Sequence, residues 1–309
     1  MHDLMTDGPL MFKPAGAFAS FPNNLFSKMQ KGEITMQRRI LHLLFLTMAF
    51  SLTGCGFQLA ANQVPVAPAE PIGLNVFAAA SLTDAFGEIG ELFEADHPGV
   101  KSVFNFGGSQ QLAQQINEGA PADVFASANN KQMNAVIEAG WIVRESQQTF
   151  AKNRLVVVHP QDNPAGLQGL KDLATPGLKL VLAAKEVPVG QYAIDFLDKA
   201  SADTAFGATF KDDVLGNVVS YEETVKTVLT KVALGEADAG IVYLSDISGA
   251  DADKVGHIDI PDTLNVIASY PIAPVKESKN PDLAQAFIDL ILSPTGQEIL
   301  AKYNFIPIK

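Results

Sequence analysis

The sequence predicts a two-lobed α/β protein in which mostly parallel sheets are flanked by helices. Along most of the chain, short apolar segments of strand character alternate with segments whose apolar residues recur at helical spacing. The chain has 309 residues, a length that favours two lobes over one. Apolar residues make up 47% of it, which is enough to fill a sizeable core. In parallel sheets ligands bind beyond the carboxyl ends of the strands, so a binding site is expected there.

Seven short apolar segments predict the strands. In chain order they read LNVFAA, VKSVFNF, ADVFASA, RLVVVH, LKLVLAA, GNVVSY and AGIVYLS. A helix is predicted after each of the first three strands, because apolar residues follow at helical spacing from Leu82, Leu112 and Met133. Further helices are predicted at about residues 191–200, 225–234 and 282–302.

A segment before this body has the layout of a secretory signal. From Met36 it reads MQRRILHLLFLTMAFSLTGC, with two arginines, an apolar run and small residues before the cysteine. The apolar run Ile40–Leu52 is shorter than the roughly 20 apolar residues that a transmembrane helix needs. Its ending resembles a bacterial lipobox, in which the cysteine is lipidated and becomes the mature N-terminus. Residues 36–54 are therefore interpreted as a lipoprotein signal peptide and Cys55 as the lipidation site; the alternative is a buried cysteine that ends an ordinary helix.

The segments on either side of this signal lack the periodicity of a folded domain. Residues 1–35 are interpreted as a non-native or disordered extension, with Met36 as the true start. Residues 55–73 contain three prolines and are predicted to be a flexible tether between the anchor and the body. The folded body is expected to begin near Leu74.

The charge balance excludes nucleic acid as a partner. The formal net charge is −12, and from Cys55 onward 17 lysines and arginines face 31 aspartates and glutamates. Phosphate backbones require a basic face, which this composition does not supply. Only Arg144 and Arg154 remain beyond the leader, so an arginine clamp for an anion is missing as well.

Small residues occupy four transitions from a predicted strand to a predicted helix. These transitions read FAAAS, FNFGGS, KEVPVG and VSYEET. The start of a helix carries unpaired amides and a partial positive charge, which together form an anion site, and small residues let the backbone approach a ligand. Ser81 and Ser109 could each add a hydroxyl donor. The alternative is plain N-capping, since Ser81 and Asp84 have the spacing of a capping box.

Motifs for other chemistry are missing from the sequence. It contains no nucleophile elbow, no Walker A loop and no dinucleotide-binding glycine pattern. The histidines of the body, His97, His159 and His257, are scattered without the spacing of metal ligands. We therefore expect neither an enzyme nor a bound metal cation.

Five motifs, in order, resemble the molybdate-binding proteins of bacterial ABC importers. They are VFAAASLTDAF, FGGSQQLAQQI, GAPADVFASA, VPVGQYA and GEADAGIVYLSD, and the resemblance covers about residues 74–309. It implies the periplasmic binding protein fold of the second type, with a ligand cleft between two lobes. It also implies that uncharged donors hold a tetrahedral oxyanion, molybdate or tungstate, without any cofactor.

The same resemblance implies five residues of the oxyanion site. Ser81 and Ser109 would each supply a hydroxyl and an amide, Val189 and Val225 an amide only, and Tyr243 its phenol. Two motifs depart from the family. GGSQ stands where serines are common in the family, and Val189 stands where the family has alanine.

The two lobes are expected to be discontinuous in sequence. The segment NRLVVVHP would carry the chain out of the first lobe, and IASYPIAPV would return it. The first lobe is then predicted at 74–153 plus 270–309, and the second at 154–269. The resemblance also implies an ABC permease as partner, and we expect a monomer that a lipid anchors to the membrane outside the cytoplasm.

Two other functions remain open from the sequence. One is an extracytoplasmic serine-dependent hydrolase that uses Ser81 or Ser109, although no base beside either serine is evident. The other is a binding protein for a different oxyanion or a small organic acid.

Overall fold

The computed structural model describes residues 70–248 and 253–308. Within them the strands are β1 (Ile72–Ala79), β2 (Val100–Gly107), β3 (Val124–Ala126), β4 (Gln148–Asn153), β5 (Leu155–Pro160), β6 (Leu180–Ala183), β7 (Val218–Glu222), β8 (Ala239–Tyr243), β9 (Val255–Asp259), β10 (Ala268–Pro274) and β11 (Ile306–Pro307). The helices are α1 (Thr83–Asp96), α2 (Ser109–Asn117), α3 (Asn130–Glu138), α4 (Pro188–Ala202), α5 (Phe210–Gly216), α6 (Val225–Ala233), α7 (Pro281–Leu292) and α8 (Pro294–Lys302). The predicted extension, signal peptide and lipidation site at Cys55 lie outside the described residues.

The strands form two separate sheets. The first has the order β11-β4-β10-β3-β1-β2 and the second has the order β7-β6-β8-β5-β9. The chain passes from the first sheet to the second between β4 and β5, and it returns between β9 and β10. The domain boundaries predicted from the sequence stay a prediction, although they fall close to these crossings.

The two sheets are mixed, which corrects the expectation of mostly parallel sheets. Strand β1 pairs in parallel with β2 and β3, and β6 pairs in parallel with β7 and β8. The two strands that enter from the other sheet run the other way, because β10 pairs antiparallel with β3 and β4, and β5 pairs antiparallel with β8 and β9. A strand that arrives from the other sheet enters from the opposite end, so its antiparallel pairing follows from the crossing.

The helix predicted at 282–302 is also corrected, because two helices occupy this range. Helix α7 ends at Leu292 and α8 begins at Pro294. Proline disfavours a helical conformation in the residue before it and is well placed in a first turn. Ser293 lies between the helices and caps α8 by accepting a hydrogen bond from the amide of Gly296.

Aromatic packing joins the first sheet to its helices. The rings of Phe86 and Phe93 on α1 lie 5.9 and 5.3 Å from that of Phe287 on α7, both edge to face. Phe150 on β4 lies 5.7 Å from Phe86, and all four side chains are fully buried. Such pairs contribute about 0.5–1.5 kcal/mol each beyond the area they bury.

None of the helices among the described residues is long and apolar enough to cross a membrane.

Candidate functional site

One cavity lies where elements of the two sheets meet. Residues of the first sheet and its helices line one side, and residues from the start of α4, the start of α6 and the end of β8 line the other. The empty volume at this cavity, with the open solvent at its mouth included, is about 220 Å³. The lining consists of Ala79, Ala80, Ser81, Gly107, Gly108, Ser109, Ala128, Val187, Pro188, Val189, Val225 and Tyr243. All five residues that the sequence predicts for the oxyanion site are among them.

Strand register brings the two serines together. Strands β1 and β2 are parallel neighbours, and their last residues, Ala79 and Gly107, are paired in the ladder. Ser81 and Ser109 each follow two residues later, so both lie at the carboxyl edge of the sheet. The second sheet repeats this arrangement, because β6 is parallel to both β7 and β8 and its carboxyl edge faces the cavity. Binding beyond the carboxyl ends of parallel strands is the general pattern for open α/β sheets.

Ser81 does not cap a helix. It lies in a short 3₁₀ turn, Ala80–Leu82, and α1 begins after that turn without any side-chain cap. Its hydroxyl group instead forms a hydrogen bond of 2.9 Å with the hydroxyl of Tyr270, on β10. The side chain is 3% exposed, so the capping-box alternative is wrong and this serine is a buried member of the cavity wall.

The hydroxyl oxygen of Ser109 already accepts a hydrogen bond from the protein. It is the first residue of α2, whose N-cap is Gly108. Its Oγ accepts a hydrogen bond of 3.0 Å from the backbone amide of Ala128. An amide can only donate, so the hydroxyl proton of Ser109 is left to donate elsewhere. Since the residue is 1% exposed and lines the cavity, an acceptor inside the cavity is the natural partner.

Val189 and Val225 bring helix amides to the opposite wall. Val189 is the second residue of α4, after Pro188, and Val225 is the first residue of α6. Amides in the first turn of a helix have no partner within that helix. Thr224 caps α6 but accepts its hydrogen bond from Thr227, so the cap leaves the amide of Val225 unused.

Tyr243 supplies the third hydroxyl group. It ends β8 and is 1% exposed, and its hydroxyl oxygen is buried without a hydrogen-bond partner among the described residues. Burial raises its pKa well above the ordinary value, so the group remains a neutral donor. A buried hydroxyl that has lost water without gaining a partner costs about 1–3 kcal/mol, which an acceptor in the cavity would offset.

Asp246 is a residue that the sequence interpretation did not single out. It lies in the 3₁₀ turn after β8, is completely buried, and accepts a hydrogen bond of 3.0 Å from the amide of Tyr243. Its other carboxylate oxygen has no partner among the described residues. Burial raises the pKa of this carboxyl to about 7. The three-residue spacing between Tyr243 and Asp246 is a helix-start pattern that is visible in the sequence. The burial of Asp246 is visible only in the structure.

Contacts across the cavity mouth join the two sides. Lys226 on α6 forms an ion pair of 2.9 Å with Asp84 on α1. The side chain of Gln111 donates to the carboxylate of Glu223 at 2.7 Å, and that of Gln110 donates to the backbone carbonyl of Glu223 at 3.1 Å. The structure therefore shows the two sides closed on each other.

The closed arrangement explains why position 108 is a glycine, because a side chain there would clash with the opposite side. A Cβ atom placed there would lie 2.6 Å from the backbone carbonyl oxygen of Glu223, on the opposite side. It would also lie 2.5 Å from the side-chain nitrogen Nε2 of Gln110. Real Cβ atoms do not approach backbone oxygen so closely. Gly108 thus permits the approach of Glu223, and Gln110 then contacts the opposite side.

The chemistry of the lining favours binding of an anion. It offers hydroxyl and amide donors, and no lysine, arginine or histidine is among its residues. The partners of the two serine hydroxyls are a tyrosine and a backbone amide, neither of which is a general base, so this wall has no activated nucleophile. Within the described residues, no group of three or more histidine, cysteine, aspartate or glutamate side chains is arranged to hold a metal ion.

The chain is similar to solute-binding proteins in its sequence and in its structure. Residues 74–306 match the family described as bacterial extracellular solute-binding protein. The molybdate-binding protein ModA of Mycobacterium tuberculosis is 38% identical over 82% of this chain and 92% of its own length. A putative ABC transporter substrate-binding lipoprotein of Bacillus subtilis, YvgL, is 31% identical over 84% of this chain and 95% of its own length. Among solved structures, the substrate-binding domain of a putative molybdenum ABC transporter from Clostridium difficile is 34% identical, with a TM-score of 0.58, and covers 77% of this chain and 100% of that chain.

Asp246 predicts a specific dependence of stability on pH. Its pKa is 3.8 in an ordinary environment and about 7 in the fold, so between these values the unfolded chain loses this proton while the folded chain keeps it. The free energy of unfolding should therefore fall as pH rises from about 4 to about 7, by at most about 1.4 kcal/mol per unit. Asp246→Asn retains an acceptor for the amide of Tyr243 but cannot titrate, so its stability should fall less over the same range.

Denaturant unfolding of both proteins at closely spaced pH values measures the difference. Asp162→Asn, at an exposed turn, serves as the matched control and should follow the unsubstituted protein. Parallel curves for Asp246→Asn and the unsubstituted protein would contradict the raised pKa.

Proposed function

The chain belongs to the family of bacterial extracellular solute-binding proteins, and we propose that it captures molybdate or tungstate and delivers the ion to an ABC importer. Membership in the family confirms several expectations from the sequence. The resemblance to molybdate-binding proteins and the two-lobed periplasmic binding protein fold are confirmed. The relatives are binding proteins of transporters, so the expectation of a binding protein without a cofactor, rather than an enzyme, is confirmed as well.

The unpartnered hydroxyl of Tyr243 is the observation that carries the proposal. It is a buried donor that faces a cavity whose other donors are the hydroxyls of Ser81 and Ser109 and the amides of Val189 and Val225. A doubly charged oxyanion in a closed cavity needs a donor for nearly every oxygen lone pair, because an unpaired buried charge is very costly. Each hydrogen bond to a charged group contributes about 1.5–3 kcal/mol, so a ring of neutral donors can hold such an ion without arginine.

Size and protonation would select among oxyanions. Donors on opposite walls of a closed cavity stand at a set separation, so an ion as small as sulfate cannot reach all of them at once. Molybdate and tungstate are nearly the same size, and both are therefore included in the proposal. A protonated oxyanion such as hydrogen phosphate needs an acceptor for its own proton, and the lining side chains offer donors instead.

Capture is proposed to involve closure of two lobes about the chain crossings. The first lobe would comprise 74–153 and 270–309, and the second 154–269, in keeping with the membership of the two sheets. Ser81 and Ser109 would then bind from one lobe, and the other three residues from the opposite lobe. A ligand held by both sides favours the closed state, as in other hinge-type binding proteins.

The anchor and the partners are further parts of the proposal. We infer that Cys55 carries lipid after cleavage at Gly54, and that the tether lets a monomer move between the membrane and an ABC permease. The order of charged start, apolar run and Leu-Thr-Gly-Cys supports the anchor. The similarity to a putative substrate-binding lipoprotein of Bacillus subtilis supports it independently.

A panel of oxyanions tests the ligand. Molybdate and tungstate should each raise the unfolding temperature of the purified protein, whereas sulfate and phosphate at equal concentration should not. A ligand that binds only the folded state adds about 2.7 kcal/mol at a hundredfold excess over its dissociation constant, or about 5–10 °C for a body of this size. A shift with phosphate or an organic acid, and none with either metal oxyanion, would reassign the ligand.

Gly108→Ala tests closure without touching a proposed donor. The added methyl group would meet the carbonyl of Glu223, so the opposite side must retreat and ligand contacts lengthen. Overpacking of this kind costs about 1–3 kcal/mol, which predicts a loss of about ten- to a hundredfold in molybdate affinity by titration calorimetry. Gly87→Ala, on α1 with open space around it, is the matched control and should bind normally. Normal binding by Gly108→Ala would show that the ligand-bound protein does not close in this way.

Cys55→Ser tests the anchor. Several acyl chains bind a membrane stably and a protein without them does not, so the variant should move from the membrane fraction to the soluble fraction of cells that express it. Immunoblots of the two fractions measure the distribution. Equal membrane recovery of the variant and the unsubstituted protein would exclude lipidation of Cys55 as the anchor.

A further inference from the structure

Three buried side chains form a hydrogen-bonded row that ends at the cavity. Asn153 ends β4, where the chain leaves the first sheet, and its Nδ2 lies 3.5 Å from the hydroxyl oxygen of Tyr270. The Tyr270 hydroxyl lies 2.9 Å from Oγ of Ser81. All three side chains are almost entirely excluded from solvent, so water does not compete for these hydrogen bonds.

The direction of this row is set at Asn153. Its Oδ1 accepts a hydrogen bond of 2.9 Å from the backbone amide of Arg154, which identifies that end of the side chain as the oxygen. The nitrogen end therefore faces Tyr270, and it also donates to Oγ of Ser245 at 2.8 Å. An amide nitrogen donates only, so the hydroxyl oxygen of Tyr270 accepts from Asn153.

The same reasoning makes Tyr270 the donor in its hydrogen bond with Ser81. Its hydroxyl has one proton, and Ser81, at 2.9 Å, accepts it; the neighbouring hydroxyl of Tyr243, whose pKa Tyr270 helps to raise, forms no hydrogen bond within the described residues. Its ring is held edge to face by Phe150, Tyr243 and Phe305, at centroid distances of 6.2, 5.7 and 5.4 Å. Burial raises its pKa well above the ordinary value, so the proton stays on the hydroxyl group. Tyr270 therefore donates to Ser81.

We propose that Tyr270, held by Asn153, is a positioning residue that orients the Ser81 hydroxyl group so that its proton is donated into the cavity. This inference rests on the proposed function. Because Ser81 accepts from Tyr270, its own proton is not used in that hydrogen bond and can be donated to the ligand. Ser109 reaches the same state through the amide of Ala128. Two serines whose protons are directed into the cavity favour a fully ionised oxyanion, which only accepts, over a protonated one.

Removal of the Tyr270 hydroxyl should change selectivity as well as affinity. In Tyr270→Phe the Ser81 hydroxyl can rotate and can accept a hydrogen bond from hydrogen phosphate. We expect molybdate affinity to fall about tenfold, the loss typical of one hydrogen bond to a charged group, while phosphate affinity stays level or rises. The ratio of molybdate to phosphate affinity should therefore fall about tenfold or more. Calorimetric competition titrations of the purified protein measure both affinities.

A double-mutant cycle separates positioning from general destabilisation. If Tyr270 acts through Ser81, Tyr270→Phe should add less than about twofold once Ser81→Ala is present. Tyr303→Phe is the matched control, because it removes a hydroxyl that donates to Glu88, outside the cavity lining, and should leave both affinities unchanged. If Tyr270→Phe does not fold, Asn153→Ala is the second variant, and it should lower the same ratio by about twofold to fivefold.

The outcomes distinguish this inference from the proposed function. If the unsubstituted protein binds neither molybdate nor tungstate, both the proposed function and this inference are overturned. If it binds molybdate but Tyr270→Phe keeps the normal affinity ratio, the inference alone is overturned. Equal losses for both anions that add to the effect of Ser81→Ala would likewise overturn it, because they indicate a structural role only.

Discussion

A buried donor that has given up water must find an acceptor, and at the cavity between the two sheets not every donor finds one within the described part of the protein. The hydroxyl of Tyr243 has no partner, and the oxygen of Ser109 is already occupied by the amide of Ala128. First-turn amides of α4 and α6 face the same space. These groups have the same requirement, an external acceptor, and it is met most fully by an ion that accepts in every direction. The absence of positive side chains from the lining follows from the same logic, because neutral donors suffice when they are numerous and well aimed.

The backbone around the cavity is arranged to let these donors converge. Parallel pairing of β1 with β2, and of β6 with β7 and β8, brings the carboxyl ends of five strands to two facing edges. Small residues at those ends allow the close approach that a larger side chain would block. Gly108 is the clearest case, because its missing Cβ leaves room for the carbonyl of Glu223 from the opposite side. The ion pair between Asp84 and Lys226 spans the same gap, although partly exposed pairs of this kind contribute little to stability.

A shell of buried polar residues supports the donors from behind. Asp246 holds the amide of Tyr243, while Asn153 and Tyr270 connect the chain crossing to Ser81. Such networks are costly when incomplete, and Asp246 keeps its proton to about pH 7 because burial disfavours its charged form. The inner residues carry no charge at neutral pH except a partly ionised Asp246. A site built this way discriminates by the direction of its hydrogen bonds as well as by size.

The sequence by itself determined the α/β alternation, the positions of most strands and helices, and the motifs that carry the family resemblance, because these depend on local periodicity and on residues close in the chain. Ser81, Ser109, Val189, Val225 and Tyr243 were named from those motifs, and the structure places all five around one cavity. Only the tertiary structure decided the mixed pairing of the sheets and the contact of Gly108 with Glu223. Ser81 and Tyr270 are separated by 189 positions, and Asn153 and Tyr270 by 117. No local pattern encodes hydrogen bonds over such separations, since they exist only after the chain has crossed between the sheets and returned.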